Sequence, residues 1–255
     1  MSHASSPLGP GPGPGQYNED ELVALVTNIY EVLTRLGHYE EGKVHFAPAG
    51  GFAINVSLVT AGNFGSIHPR VLSLMKRLPQ APSDKAIGVA MKPVNYGRPY
   101  ELARSRDIDK VMFSHSQSRR REGFARATVI LIADGQDDKY PQLVLDIADS
   151  TIREVGDELD DNANSQEVDR QDHYLNWPKE DAKSYLEHML QKYYSADWVP
   201  DYVGGIMPTY DEGISQAAEI KRMLLEDYGW PGAEFRREAW LRDAPDMLGA
   251  AHGGD

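Results

Sequence analysis

A chain of 255 residues, 41% hydrophobic and 25% charged, has enough length and apolar content to bury a substantial core. Its formal charge of −13 repels phosphate backbones and anionic lipid, so neither nucleic acid nor a membrane is expected as a partner. With no cysteine, the chain excludes disulfide scaffolds, Cys-ligated zinc, iron–sulfur clusters and thiol nucleophiles, and it suits a reducing compartment.

The first residues lack the basic region and apolar stretch of a secretion signal, and no apolar run approaches the length of a membrane span. An intracellular, cytoplasmic location is expected, and a nuclear one is compatible with the same observations. Residues 7 to 15 alternate Pro and Gly, which denies them helical hydrogen bonds and side chains to bury, so 1–16 is expected to be a disordered tail. Asn18 followed by Glu21 forms a capping pair. Leu22, Leu25, Val26, Ile29, Leu33 and Leu36 then share one helical face before Gly37 ends the run. Ile54, Val56 and Leu58 alternate as in a short strand or a buried loop, and Val71, Leu72, Met75 and Leu78 keep helical spacing up to Pro79.

The period then changes. Residues 127–133, 142–147 and 151–155 are rich in β-branched side chains and are joined by connections too short for crossover helices, the first of them a loop at 134–138. This predicts an antiparallel β meander spanning about residues 108–155 and an α+β fold class rather than a parallel dinucleotide-binding sheet. The acidic, Asn-rich stretch 157–165 reads as an exposed loop. From Pro178 the helical period returns with Ala182, Tyr185, Leu186, Met189, Leu190 and Tyr193. A further helix follows Ser215 and stops at Gly229, and 234–242 makes a last short one. The expected organisation is a single domain over 17–243, with a C-terminal helical extension at 206–243 and a flexible tail at 244–255.

Few patterns carry chemistry. Ser73-x-x-Lys76 and Tyr39-x-x-x-Lys43 match spacings used in acylation and in dehydrogenases, but the companion motifs of each are missing. Gly-x-Ser-x-Gly, the Walker A loop and His-Glu-x-x-His do not occur. Histidines at 38, 45, 68, 115, 173 and 188 are not set at helical metal-binding spacing, and the acidic run near 157–161 lacks the glycine and terminal glutamate of a calcium loop. No catalytic residue, metal or cofactor is therefore expected. An enzymatic alternative would draw acid and base from residues distant in sequence, such as His68, His115, Asp146 and His173.

Two clusters suggest binding instead. Arg119, Arg120 and Arg121 form a basic stretch in an acidic chain, a candidate anion site or a solvated loop. Trp198, Tyr202, Trp230, Phe235, Arg236, Arg237 and Trp240 gather the residue types that dominate interface hot spots; alternatively, these rings pin the last helices to the body.

The phrases His68-Pro-Arg-Val-Leu-Ser-Leu-Met-Lys-Arg-Leu-Pro79, Val144-Leu-Asp-Ile-Ala-Asp-Ser-Thr-Ile-Arg153 and Tyr228-Gly-Trp-Pro-Gly-Ala-Glu-Phe-Arg-Arg-Glu-Ala-Trp240 resemble segments of a family of filamentous-ascomycete proteins. That resemblance brings no known reaction. More loosely, the succession of N-terminal helix, meander, acidic loop and the helix of Tyr185-Leu-Glu-His-Met-Leu190 is similar to the SUKH superfamily over roughly 43 to 195, although Ala49-Gly50-Gly51 lacks the neighbouring tryptophan of that group. The superfamily includes toxin-immunity proteins and a cell-wall-assembly regulator, which act by binding other proteins. The resemblance implies a non-enzymatic regulatory module whose partner is another protein.

Overall fold

The computed structural model describes residues 17–53, 68–82, 85–88, 91–93, 129–135, 142–155, 173–201, 204–210 and 216–252. The expected tail at 1–16, the alternating segment at 54–58, the meander positions 108–128, the acidic loop 157–165 and residues 119–121 lie outside them.

Helix α1, Glu19–Arg35, begins where expected, with the Asn18 side chain accepting the Glu21 N–H at 3.3 Å. Glu19, Asp20 and Glu21 place negative charge on its first turn, where the helix dipole favours it. Its apolar stripe buries Leu22, Ile29, Tyr30, Val32 and Leu33. Helix α2, Pro69–Arg77, uses Pro69 in its first turn and His68 as its cap, with Nδ1 accepting the Arg70 N–H at 3.3 Å. Arg77 ties α2 to the start of α1 through Glu19 at 2.9 Å and Asp20 at 2.6 Å.

The sheet has five antiparallel strands in sequence order, β1 (Met91–Pro93), β2 (Val129–Gly135), β3 (Gln142–Asp146), β4 (Thr151–Val155) and β5 (Glu180–Asp181). The α+β class and the antiparallel meander are thus as the sequence suggested. The loop expected to start at Asp134 begins later, because Asp134 and Gly135 pair with Lys92 and Met91 of β1, an edge strand too short to show a period of its own. The β2–β3 register shifts between Leu131 and Ala133, the signature of a bulge.

Helix α3, Ala182–Tyr194, follows β5 directly and is capped by Asp181, whose Oδ1 accepts the Ser184 N–H at 2.9 Å. It packs against α1 over one face of the sheet, so that Leu143, Leu145 and Ile152 meet Leu186 and Met189 in the main core. The opposite face carries a smaller cluster of Val144, Val155 and Tyr174, the last from a 3-10 turn at His173–Asn176.

The C-terminal third begins with a hairpin of β6 (Trp198–Pro200) and β7 (Ile206–Pro208). Helix α4, Ala217–Arg222, widens into a π-helical turn over Met223–Asp227 and ends before Gly229, which sits at φ 77° as a residue beyond a helix end requires. Helix α5 runs Arg237–His252. It therefore starts later and ends later than the short helix expected over 234–242. The expectation of a flexible tail from 244 is corrected by the same helix, because Ala244 and Leu248 are buried one and two turns beyond Trp240 and continue its apolar stripe through Pro245.

Candidate functional site

The C-terminal aromatic and arginine cluster is an interior joint, not a surface patch. Trp198, Trp230 and Trp240 are each less than 7% exposed. Trp230 donates its indole N–H to the carbonyl of Tyr193 at 2.8 Å, at the end of α3, and Trp240 donates its own to Leu36 at 3.0 Å, at the end of α1. Helix C-termini leave carbonyls without donors, and here indoles from a distant part of the chain supply them. The arginines serve the same joint. Arg237 reaches the carbonyls of Arg35 and Thr34 at 3.2 and 3.3 Å, while Arg236 bonds the carbonyl of Asp227 and lies over the Tyr228 ring. Arg35 stacks 4.8 Å above the Trp230 ring and donates to Pro231 and Gly232. Phe235 is half-buried, edge-on to Trp230 at 5.0 Å, and Trp198 sits apart from this group, edge-on to Tyr193 and covered by Lys192. An exposed aromatic surface is therefore not what these tryptophans form: all three are buried, with the indole N–H groups of Trp230 and Trp240 spent on helix ends and that of Trp198 enclosed without a hydrogen-bond partner among the described residues. Tyr202 and Arg119, Arg120 and Arg121 lie outside the described residues.

The same joint borders an open cleft of about 330 Å³. One wall is α5, with Trp240, Leu241, Ala244, Pro245 and Leu248; the floor is the end of α1 at Leu36, Gly37 and His38; the far wall is Lys85 with Pro200, Asp201 and Gly204 of the β6–β7 hairpin. The volume stands at the small end of the range typical of ligand sites, roughly 300–1,000 Å³. Gly37 explains the closeness of wall and floor. It holds φ 84°, and a Cβ built there would come within 2.0 Å of Leu241 Cδ2.

The polar groups of the cleft hold its shape. His38 is buried and donates Nε2–H to the carbonyl of Ala86 at 2.7 Å, a carbonyl that also receives the Tyr39 hydroxyl at 3.3 Å. Lys85 donates Nζ to the carbonyl of His38 at 2.5 Å, and the Ala86 N–H reaches Gly204 at 2.8 Å, so the Lys85–Ala86 strap bridges the end of α1 and the hairpin. Asp201 closes the hairpin by accepting the Gly205 N–H at 2.6 Å. Pro245 has no N–H to give Leu241, four residues earlier, so a backbone acceptor without its helical donor belongs to a residue lining the cleft. The site combines an apolar wall with one ammonium, one carboxylate and one freed carbonyl.

The remaining electrostatics lie around the cleft. Burial and the Asp243 carboxylate together raise the Tyr228 hydroxyl above its ordinary value, while hydrogen bonds from Arg242 and Tyr228 hold Asp243 below the usual carboxylate range. Asp197 is lowered as well: partial burial opposes its charge, but bonds from Lys221 at 2.5 Å and Ser195 at 2.7 Å outweigh it.

The residues named for an enzymatic alternative do not share the cleft. His68 caps α2, Asp146 ends β3 with Oδ1 accepting the Ala148 N–H at 3.0 Å, His173 opens the 3-10 turn, and His115 lies outside the described residues. Among the described residues, no group of three or more His, Asp or Glu side chains is placed to hold a metal ion, and no helix is long and apolar enough to cross a membrane. Sequence reasoning missed His38, Lys85 and Asp201. A signal for the cleft was available in the spacing of Trp240, Ala244 and Leu248, which continues the helical stripe beyond Pro245.

Comparison with known proteins finds no family model, no curated protein and no solved structure that matches this chain.

Proposed function

We propose that this chain is a non-enzymatic, intracellular protein-interaction module, related in kind to the SUKH-like binding proteins, and that its cleft receives an apolar anchor from a partner protein. The observation that carries this reading is the half-open cleft, whose α5 wall offers Leu241, Ala244 and Leu248 alongside the freed Leu241 carbonyl. An anchor side chain inserted into a desolvated pocket, with one backbone hydrogen bond beside it, is the usual form of an interface hot spot. The chain's charge of −13 suits an anchor flanked by basic residues, because the surrounding field raises the encounter rate with a positively charged partner.

The test is affinity capture from cells, comparing the wild type with Leu241→Glu, which places a charge in the cleft wall, and with Arg242→Glu on the exposed side of the same helix. Circular dichroism establishes that both variants are folded. The expected result is a partner retained by wild type and Arg242→Glu and lost from Leu241→Glu. Capture that is indifferent to Leu241→Glu removes the cleft as the binding site.

A further inference from the structure

The freed carbonyl of Leu241 has two satisfied counterparts in the same joint. At the ends of α3 and α1, carbonyls that no longer meet a helical donor four residues on receive an indole N–H instead, from Trp230 to Tyr193 at 2.8 Å and from Trp240 to Leu36 at 3.0 Å. Leu241 presents a third such carbonyl, because Pro245 has no N–H to offer it. Leu241 and Pro245 both line the cleft and stand one turn apart on α5, so this carbonyl lies on the cleft face of the helix. Cations also meet indoles twice in this molecule, with Arg35 4.8 Å from the centre of the Trp230 ring and Lys192 4.5 Å from that of Trp198. In the cleft, Lys85 stands on the wall opposite α5.

We infer that the anchor received by the cleft is a tryptophan of the partner protein, an inference that rests on the cleft being an anchor site: its ring lies against Leu241, Ala244 and Leu248, its indole N–H is donated to the Leu241 carbonyl, and Lys85 faces the ring. An indole is negative on its faces and positive at its N–H edge, so its own field complements an ammonium on one wall and an unpaired carbonyl on the other. Being neutral, it needs no counter-charge from Lys85 or Asp201. Leucine or phenylalanine would fill the apolar space but leave the carbonyl without a donor. The ring comes from outside this chain, whose four tryptophans are already placed: Trp177 packs with Val144, Val155 and Tyr174, Trp198 against Tyr193, and Trp230 and Trp240 on the helix ends. Basic residues beside the incoming tryptophan match the chain's charge of −13.

The test follows the methyl resonances of Leu241, Ala244 and Leu248 in the full-length protein by NMR during titration with the peptide acetyl-Lys-Gly-Trp-Gly-Lys-amide and with three relatives, in which the tryptophan is replaced by 1-methyltryptophan, phenylalanine or leucine. The tryptophan peptide is expected to shift these resonances saturably and to bind about five- to tenfold more tightly than the 1-methyltryptophan peptide, which keeps the ring and loses the donor. The phenylalanine and leucine peptides are expected to bind more weakly than the tryptophan peptide. Pro245→Ala gives the Leu241 carbonyl its helical donor back, so the difference between the tryptophan and 1-methyltryptophan peptides is expected to disappear in that variant. The inference is overturned, with the cleft still standing as an anchor site, if those two peptides bind the wild type equally, if their difference persists in Pro245→Ala, or if the leucine peptide binds most tightly. It is overturned as well if none of the four peptides moves the cleft resonances, and the Leu241→Glu capture then decides separately whether the cleft takes another anchor. Free tryptophan that binds as tightly as the peptide identifies a small-molecule site and overturns the assignment to a partner protein. Should Pro245→Ala fail to fold, the wild-type comparison of the peptides decides the matter alone.

Discussion

Trp240 shows how one side chain can close a fold. Its ring is 1% exposed and meets Tyr228 edge-on at 5.5 Å, and its indole N–H satisfies the last residue of the first helix turn-off at Leu36, more than two hundred positions away. Trp240→Phe keeps a ring in place but orphans the Leu36 carbonyl, so unfolding in urea is expected at a lower midpoint, by about 1–3 kcal/mol for the lost bond. Gly37→Ala tests the opposite error, too much atom in too little space. A left-handed φ costs an alanine about 1–2 kcal/mol, and the close approach of Leu241 adds overpacking on top. The expected outcome is a clear loss of stability together with a widened cleft, read by denaturant melts and by solvent protection of Leu241. That Gly37 would end α1 was legible, because glycine after an apolar stripe is a stop signal; that it would also seat Leu241 was not, because nothing local marks a contact between residues so far apart.

At the scale of elements, α1 and α3 were plain in the sequence because a face of apolar residues at spacing three and four survives any tertiary arrangement. Asp181 caps α3 at the point where β5 ends, so Asp181→Ala is expected to cost about 0.5–2 kcal/mol and to loosen the β4–β5 edge as well. Hydrogen exchange at Ser184 and Ile152 measures both effects. Asp197 supplies an acid-sensitive tie between the end of α3 and α4. Its carboxyl is held below its ordinary value of 3.8, so it stabilises the fold in full above that value and loses its contribution as pH falls through the lowered one. Asp197→Asn is therefore expected to lower stability near neutral pH and to converge with wild type as the pH falls below the ordinary carboxyl value of 3.8, in melts recorded from neutral pH into acid. The short strands β1 and β5 had no such legibility. Strands of three and two residues carry too few alternations to show a period, and they exist because neighbouring strands offer edges to pair with.

The whole molecule is organised around its C-terminal end. A chain read as finishing in a loose tail instead completes a helix whose last apolar residues form one wall of the cleft. Removal of residues 244–255 is accordingly expected to lower Tm and to abolish partner capture, with about 1.5–3 kcal/mol from the burial of Leu248 alone; a dispensable tail would change neither. Thermal melts and the capture experiment on the truncated chain distinguish the two outcomes. Composition, charge, the helical stripes and the β-branched meander were determined by the sequence alone, because periodicity and the chemistry of residue types are local properties. Only the tertiary structure decided that Trp230 and Trp240 face inward onto helix ends, that His38, Lys85 and Asp201 meet across a cleft, and that Arg153 lies buried beside Thr151. Each of those facts depends on which distant groups need a donor or an acceptor once water has been removed, and that need arises only when the elements pack.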